Sequence, residues 1–330
     1  MSTTYFQQYF SEPLVDLACE APRYASVYSP QPEVGLPRFG VSAEFLEKSE
    51  SYFQKYQQYD YIFGLIEREL KAFGISPQGT AIDFGCGFGN TVIPILEHFP
   101  SLRMICVDIS PDLLTILNRE AEKRQLKERC LAVAMDAQRD YFGESFADIV
   151  FGGAVLHHMV KPEKVIETTL KVLKPGGHAV FLEPFENGHA ILRLAYEEIL
   201  EKARLQKVAG PAFEFLRGLV LDIAVRTKRA QYPGFEKKWE TLDDKWMFTK
   251  TYFEKIARNA GAKGVQFRPL HETAECFTKQ TTMALSQYGG FKCPDALPNW
   301  AWEIIGRYDH FFSEEMKQDL LIEGSIVFTK

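Results

Sequence analysis

The chain is expected to fold as an α/β protein built on a doubly wound, mostly parallel sheet. Between residues 79 and 185, apolar strand-like runs alternate with helical patterns. The first strand runs straight into a glycine-rich turn, Asp83-Phe-Gly-Cys-Gly-Phe-Gly-Asn90. An acid stands at or just beyond the end of three successive strands, at Asp83, Asp108 and Asp136. Alternation of this kind makes strands parallel and places helices on both faces of the sheet.

Each element has its own signal. Residues 11–41 carry Pro13, Pro22, Pro30, Pro32 and Pro37 and read as irregular. From Ser42, a candidate N-cap, to Phe73 the pattern is helical, with Phe45, Tyr52, Tyr56, Tyr59, Phe63, Ile66 and Leu70 mostly three or four residues apart. Thr80–Phe84 is the first strand, and a helix through Thr91–Leu96 follows the turn. Arg103–Asp108 is the second strand. Ser110-Pro111 then opens a helix, with serine as cap and proline at the first helical position. Leu131–Met135 and Ala147–Phe151 are the third and fourth strands. Pro162 opens a helix that stops at Leu173-Lys-Pro-Gly-Gly177, and His178–Glu183 is the fifth strand. Beyond Pro184 the rhythm breaks: residues 186–245 read as helices, Thr251–Gly261 as a helix, Gly264–Phe267 as a strand, 299–321 as helical and Ile322–Thr329 as a last strand.

Composition sets outer limits. The 330 residues, 46% hydrophobic and 25% charged, suffice for a full core. A net charge of −6 argues against a general binder of nucleic-acid phosphates. The basic clusters Arg226–Arg229 and Lys237-Lys238 read as solvated surface. The six cysteines lack C-x-x-C spacing, so neither a structural zinc site nor a disulfide framework is expected, and no metal ligands are assigned. No secretory leader and no apolar run long enough to span a membrane is seen, which points to the cytoplasm. Aromatic residues are concentrated at one end, 15 of them within residues 1–75. They read as helix packing or as an aromatic wall over a ligand.

The glycine turn narrows the chemistry. It lets the backbone approach a ligand at the carboxyl edge of the sheet. Residues 83–95 contain no Lys or Arg, and no Gly-Lys-Ser/Thr follows, which excludes a Walker-type phosphate cradle. The spacing Gly85-x-Gly87-x-Gly89 departs from a dinucleotide fingerprint, and Asp83 beside it would repel a pyrophosphate. An acid there suits S-adenosylmethionine, which carries an ammonium and a sulfonium and no phosphate. Asp108 is placed to accept from ribose hydroxyls, and Asp136 to meet an adenine amino group.

On Asp83–Gly89, Asp108, Asp136-Ala137, Ala147–His158 and Leu173–Gly177, the chain resembles the class I S-adenosylmethionine-dependent methyltransferases, small-molecule branch. The resemblance covers residues 76–185 plus the last two strands. It implies a Rossmann-like, seven-stranded sheet whose final strand is antiparallel, with S-adenosylmethionine as co-substrate. It also implies donor contacts from Asp83, Phe84, Gly85, Gly87, Gly89, Asn90, Asp108, Ile109, Asp136, Ala137 and Gly152. The segments outside it are read as mostly helical caps. The division is 1–75 (aromatic-rich N-terminal cap), 76–185 (core), 186–248 (lid insertion), 249–268 (core), 269–321 (second cap) and 322–330 (final strand).

Three side chains are candidates for catalysis. Gly152-Gly-Ala-Val-Leu-His157-His158 follows the fourth strand at the ligand edge, and histidine is the usual proton acceptor near neutral pH. His158, or else His157, would take the proton of an acceptor hydroxyl during in-line attack on the methyl carbon. Glu183, ending the fifth strand, is the third, with a loop-anchoring role as its alternative. The expected activity is O- (or N-) methylation of a small molecule, without nucleic acid or membrane span. Two alternatives stand beside it. One is a C-methyltransferase acting on an isoprenoid or other alkene, with a carboxylate base. The other is a binding or scaffold protein that has lost turnover. The caps are expected to close over the donor, with aromatics of Tyr5–Phe10 or Tyr52–Phe63 lining the acceptor pocket; a homodimer contact is the competing use of that mass.

Overall fold

The computed structural model describes residues 3–30, 48–227, 239–240 and 242–330. Ser42, Phe39, Phe45, residues 228–229 of the Arg226–Arg229 cluster and the cluster at 237–238 lie outside them; Arg226 itself is buried against Asp222 and Asp244, not solvated surface as read from the sequence. Among the described residues, nine strands form one sheet. They are β1 (Val15–Asp16), β2 (Val27–Ser29), β3 (Gly79–Phe84), β4 (Leu102–Asp108), β5 (Cys130–Ala134), β6 (Ala147–Gly153), β7 (Leu173–Pro184), β8 (Gly264–Pro269) and β9 (Glu323–Thr329). Their order is β1-β2-β5-β4-β3-β6-β7-β9-β8. β2 to β7 pair in parallel, and β9 runs antiparallel to both β7 and β8. Seven of these strands make the Rossmann-like sheet implied by the resemblance. β1 and β2 extend it, and they come from the proline-rich stretch read as irregular. A few residues between prolines suffice for pairing at a sheet edge.

Alternate side chains of the central strands feed two cores. Ile82, Phe84, Ile105, Val107 and Phe181 join the first, and Ala81, Met104, Cys106, Phe151 and Val180 the second. Strand period two makes this split, so the central strands are apolar on both faces. The helices, in chain order, are α1 (Thr3–Gln7), α2 (Ser49–Tyr56), α3 (Tyr59–Ala72), α4 (Val92–His98), α5 (Pro111–Lys123), α6 (Pro162–Val172), α7 (Glu186–Gln206), α8 (Pro211–Thr227), α9 (Lys250–Asn259), α10 (Cys276–Met283), α11 (Asn299–Phe311) and α12 (Glu314–Asp319). α6 and α9 supply Val165, Ile166, Leu170 and Phe253 to the first core. α3, α4 and α5 supply Leu70, Ile93, Leu96, Leu114 and Leu117 to the second. Ser110 caps α5 by accepting from the Leu113 N–H, a contact worth about 1 kcal/mol. α7, α8, α10 and α11 bury Tyr196, Ile199, Leu216, Phe277 and Ile305 in a third core of their own.

Three local expectations change. The helix expected to run to Phe73 breaks at Gln57–Gln58 between α2 and α3, because the Asn90 amide takes over the backbone there. Asn90 Nδ2 donates to Tyr56 O at 2.9 Å and Asn90 Oδ1 accepts from Gln58 N–H at 3.0 Å. The Leu173–Gly177 turn is drawn into the start of β7, where Leu173 pairs with Ala147 across an irregularity in register. Tyr5–Phe10 does not line a ligand pocket. Tyr9 stacks on Phe146 at 4.5 Å and Phe10 bridges to Phe142, so these rings complete the first core instead.

Candidate active site

A cavity of about 670 Å³ opens at the carboxyl ends of β3, β4, β5 and β6, within the usual size range of ligand pockets. Its inner half is the crevice expected for the donor, lined by Gly85, Gly87, Asn90, Asp108, Ile109, Asp136 and Ala137. Gly85, Gly87 and Gly89 have φ of +67°, +50° and +98°, which keeps the turn tight against the sheet. At Gly85 a Cβ would lie 2.1 Å from Val155 Cγ2, so only glycine lets the turn pass the β6 edge.

The acids divide by role. Asp108 accepts from the Gly87 N–H and the Ser110 N–H, both at 2.8 Å, and stays half-exposed to the cavity. Burial pushes its carboxyl above the ordinary value, against the pull of those backbone donors and of His158. Asp136 reaches the lining but also caps its own turn, accepting from the Gln138 N–H at 3.0 Å. Asp83 lies behind the turn, outside the cavity wall, and neither of its carboxyl oxygens has a hydrogen-bond partner among the described residues. Burial first, and Asp108 second, push its carboxyl well up. Burial of this kind disfavours the charged form of a carboxyl. Phe84, Gly89 and Gly152 also support the crevice from behind without lining it.

The outer half is built around two histidines. Glu183, 2% exposed, accepts from the Val155 N–H at 2.9 Å, the Leu156 N–H at 2.7 Å and the His157 N–H at 3.3 Å. The same carboxylate meets His157 Nδ1 at 2.6 Å. Its oxygens are therefore engaged by the turn after β6 and by the imidazole, while the residue also lines the cavity. His157 Nε2 lies 3.5 Å from Asp244 Oδ1, and His158 Nδ1 lies 3.3 Å from the same oxygen. The Lys245 N–H and the Trp246 N–H donate to His157 O at 2.7 and 3.2 Å, tying this segment across the histidine turn. Arg226, 7% exposed, faces Asp222 and Asp244, each at 3.3 Å, and donates to Trp246 O. Burial lowers the His158 imidazole, but Asp243 and Asp244 outweigh it and hold it above its ordinary value.

The caps supply the remaining wall. Tyr52, Tyr61 and Leu65 come from the N-terminal segment, Leu192, Tyr196, Leu219 and Ile223 from α7 and α8, and Leu270, Ala284 and Tyr288 from residues 269–321. Burial pushes the Tyr52 hydroxyl far up, so it is a neutral donor. Sequence reasoning missed Asp222, Arg226, Asp243 and Asp244. Their only signal is a run of buried charge within an otherwise apolar helical segment and the acidic pair after it.

A sheet of this order, with a tight glycine turn after β3 and an acid ending β4, is a Rossmann-like fold. The comparisons give the family. Residues 82–179 match a family model described as a methyltransferase domain. The thiol S-methyltransferase TMT1B of Rattus norvegicus is 28% identical over 181 residues, covering 54% of this chain and 70% of the rat protein. The tRNA N(3)-methylcytidine methyltransferase trm141 of Schizosaccharomyces pombe is 26% identical, and the match covers 42% of this chain and 56% of the yeast protein. Haemonchus contortus phosphoethanolamine N-methyltransferase 2, solved with S-adenosyl-L-methionine, has 15% identity and a TM-score of 0.47, with 86% of this chain and 60% of that chain covered. Residues 82–179 thus carry a methyltransferase domain, and these likenesses support an S-adenosylmethionine-dependent enzyme of class I. A thiol and a tRNA both occur as acceptors in the names of these relatives, so likeness alone does not choose one.

No helix among the described residues is long and apolar enough to cross a membrane. The described cysteines are all free thiols.

Proposed function

We propose that the chain methylates an oxygen, or another heteroatom nucleophile, of a small acceptor held between the core and the caps. The observation that carries this reading is a single cavity holding the Gly85–Asp108–Asp136 crevice at one end and the Glu183–His157 pair at the other. S-adenosylmethionine supplies the methyl group as an electrophile on a sulfonium. Asp108 holds the ribose hydroxyls, Ala137 and Asp136 face the adenine, and the glycine turn seats the methionine portion. Leu192, Tyr196, Leu219, Ile223 and Met247 give the acceptor an apolar seat and keep water away from the sulfonium.

Loss of the acceptor's proton is assisted by the histidine pair. Of the two, His157 is the better placed for this role, ahead of His158. Glu183 binds His157 Nδ1, which leaves Nε2 aimed into the cavity with its direction fixed. Glu183 acts through that imidazole as a positioning residue. This disfavours the alkene C-methylation alternative, which needs a free carboxylate base. The S-methyltransferase name of the rat relative supports a small heteroatom acceptor. The net charge of −6 and the apolar seat weigh against tRNA.

A screen of phenols, thiols, amines and unmodified tRNA, read by S-adenosylhomocysteine release, tests the reading. Turnover is expected with a small hydroxyl or thiol compound. In His157→Ala, kcat for that compound is expected to fall about a hundred- to ten-thousandfold while donor affinity holds. Turnover confined to tRNA, or an unchanged kcat in His157→Ala, would sink it.

A further inference from the structure

We infer that His157, His158 and Asp244 form a site for one divalent transition-metal ion of the zinc type, with its open position facing the acceptor. The role rests on the methyl-transfer reading above; the site itself rests on geometry alone. Each residue offers one ligand atom, and the three atoms lie within 4.8 Å of one another. The two N···O separations to Asp244 Oδ1 are 3.5 and 3.3 Å. Ligands about 2.0–2.2 Å from a tetrahedral ion stand about 3.3–3.6 Å from each other.

The hydrogen bonding is short of donors at this point. His157 Nδ1 is engaged by Glu183, which leaves Nε2 facing an Asp244 carboxylate oxygen. His158 Nδ1 has one proton at most, yet it faces Asp243 O at 3.2 Å, Asp243 Oδ1 at 3.4 Å and Asp244 Oδ1 at 3.3 Å. Asp243 Oδ1 is buried without a hydrogen bond of proper geometry among the described residues. A cation at the centre of these atoms satisfies them together.

The surroundings match a metal centre. A carboxylate on the far nitrogen of a metal-binding imidazole fixes its tautomer and ring direction, and Glu183 does this for His157. Arg226 takes the other oxygen of Asp244 at 3.3 Å and steadies the carboxylate. The His157 side chain is 10% exposed, that of His158 29% and that of Asp244 43%, so one side of the trio opens to the cavity. Three protein ligands with an open fourth position is the pattern of zinc sites that act on a bound group. Two imidazoles and a carboxylate suit zinc, iron, cobalt or nickel over magnesium or calcium. The acceptor's hydroxyl or thiol at the open position would release its proton to solvent more readily. The histidines would then assist as ligands.

The test uses the full chain freed of metal by a chelator and titrated with Zn2+ in a calorimeter and with Co2+ in a spectrophotometer. One equivalent of Zn2+ is expected to bind, and Co2+ is expected to show the absorption of a low-coordinate ion. His158→Ala and Asp244→Asn should each weaken Zn2+ binding at least tenfold; Zn2+ binding that is substoichiometric, or equal in wild type and both variants, overturns the site. S-adenosylmethionine is titrated into the chelated protein in parallel. Donor binding without Zn2+ binding defeats the metal site alone, and Zn2+ binding without donor binding defeats the proposed function alone.

Discussion

The donor half of the cavity is made of backbone, and the acceptor half of side chains. Around the donor, the turn is defined by the left-handed φ values of Gly85, Gly87 and Gly89, and Asp108 is clamped by two backbone N–H groups. Around the acceptor, His157, His158, Asp222, Arg226 and Asp244 hold one another, and they arrive from three separate stretches of chain. Backbone geometry tolerates almost no change. A side-chain network can be redrawn for another acceptor while its apolar frame stays in place.

Substitutions should expose that contrast. The largest effect is expected at Gly85→Ala, where a Cβ would fall 2.1 Å from Val155 Cγ2 at a φ of +67°. Strain and overpacking together should cost about 2–5 kcal/mol, read by denaturant melts, with donor binding lost in calorimetry. An alanine variant of wild-type stability would show that the turn is side-chain tolerant after all.

On the acceptor side, His189 gives a pH signature. Burial, then the Arg226 charge, push its imidazole down to about 4. It is neutral in both states above its unfolded value. As pH falls below about 6.5 the unfolded chain takes up a proton that the folded chain refuses, so stability declines toward pH 4 by up to roughly 3 kcal/mol. His189→Gln should flatten that part of the melting curve between pH 7 and 4.5. Parallel curves for variant and wild type would place the acid sensitivity elsewhere.

Asp108→Ala should lower donor affinity roughly ten- to a hundredfold, the loss of a charged acceptor of hydrogen bonds. A donor dissociation constant unmoved by this change would detach the ribose from β4. The smallest effect belongs to the joint between the halves. Asn90→Ala removes both amide contacts to the α2–α3 break, about 1–2 kcal/mol of stability. Because those contacts set where Tyr52 stands over the cavity, acceptor KM should rise more than the donor dissociation constant. Equal changes in both would mean that the joint positions nothing.

The same contrast explains what could be read in advance. Strands β3 to β7 and the capped start of α5 follow from local rules: apolar period two, serine before proline, glycine after a strand. The cavity lining at Gly85, Gly87, Asp108, Asp136, His157 and His158 lies on the loops those rules place at one sheet edge. Asp244 and Arg226 escape such reading because their meaning arises only when a helix folds back over the edge. Asn90 lines the crevice as its position suggests, but that its amide also holds a backbone break thirty-odd residues upstream is not legible locally. Asp83 reads from the sequence as an acid suited to a positively charged ligand, and its burial beneath the turn, which raises its carboxyl well above the ordinary value, is not visible there.

The placement of β9 between β7 and β8 has a kinetic consequence. Among the described residues β8 pairs with β9 alone, and β9, which comes later in the chain, also carries the link to β7. Residues 270–322, the intervening cap, must therefore be looped out and closed before either strand is secure, an entropic cost met ahead of any reward from pairing. Glu323, at the head of β9, reaches the cavity wall only at that step. The donor crevice, made from β3 to β6, can gain order first, while the acceptor chamber waits for the sheet to close. Pulsed hydrogen exchange during refolding should find β3 and β4 amides protected before those of β8, and the reverse order would refute this sequence.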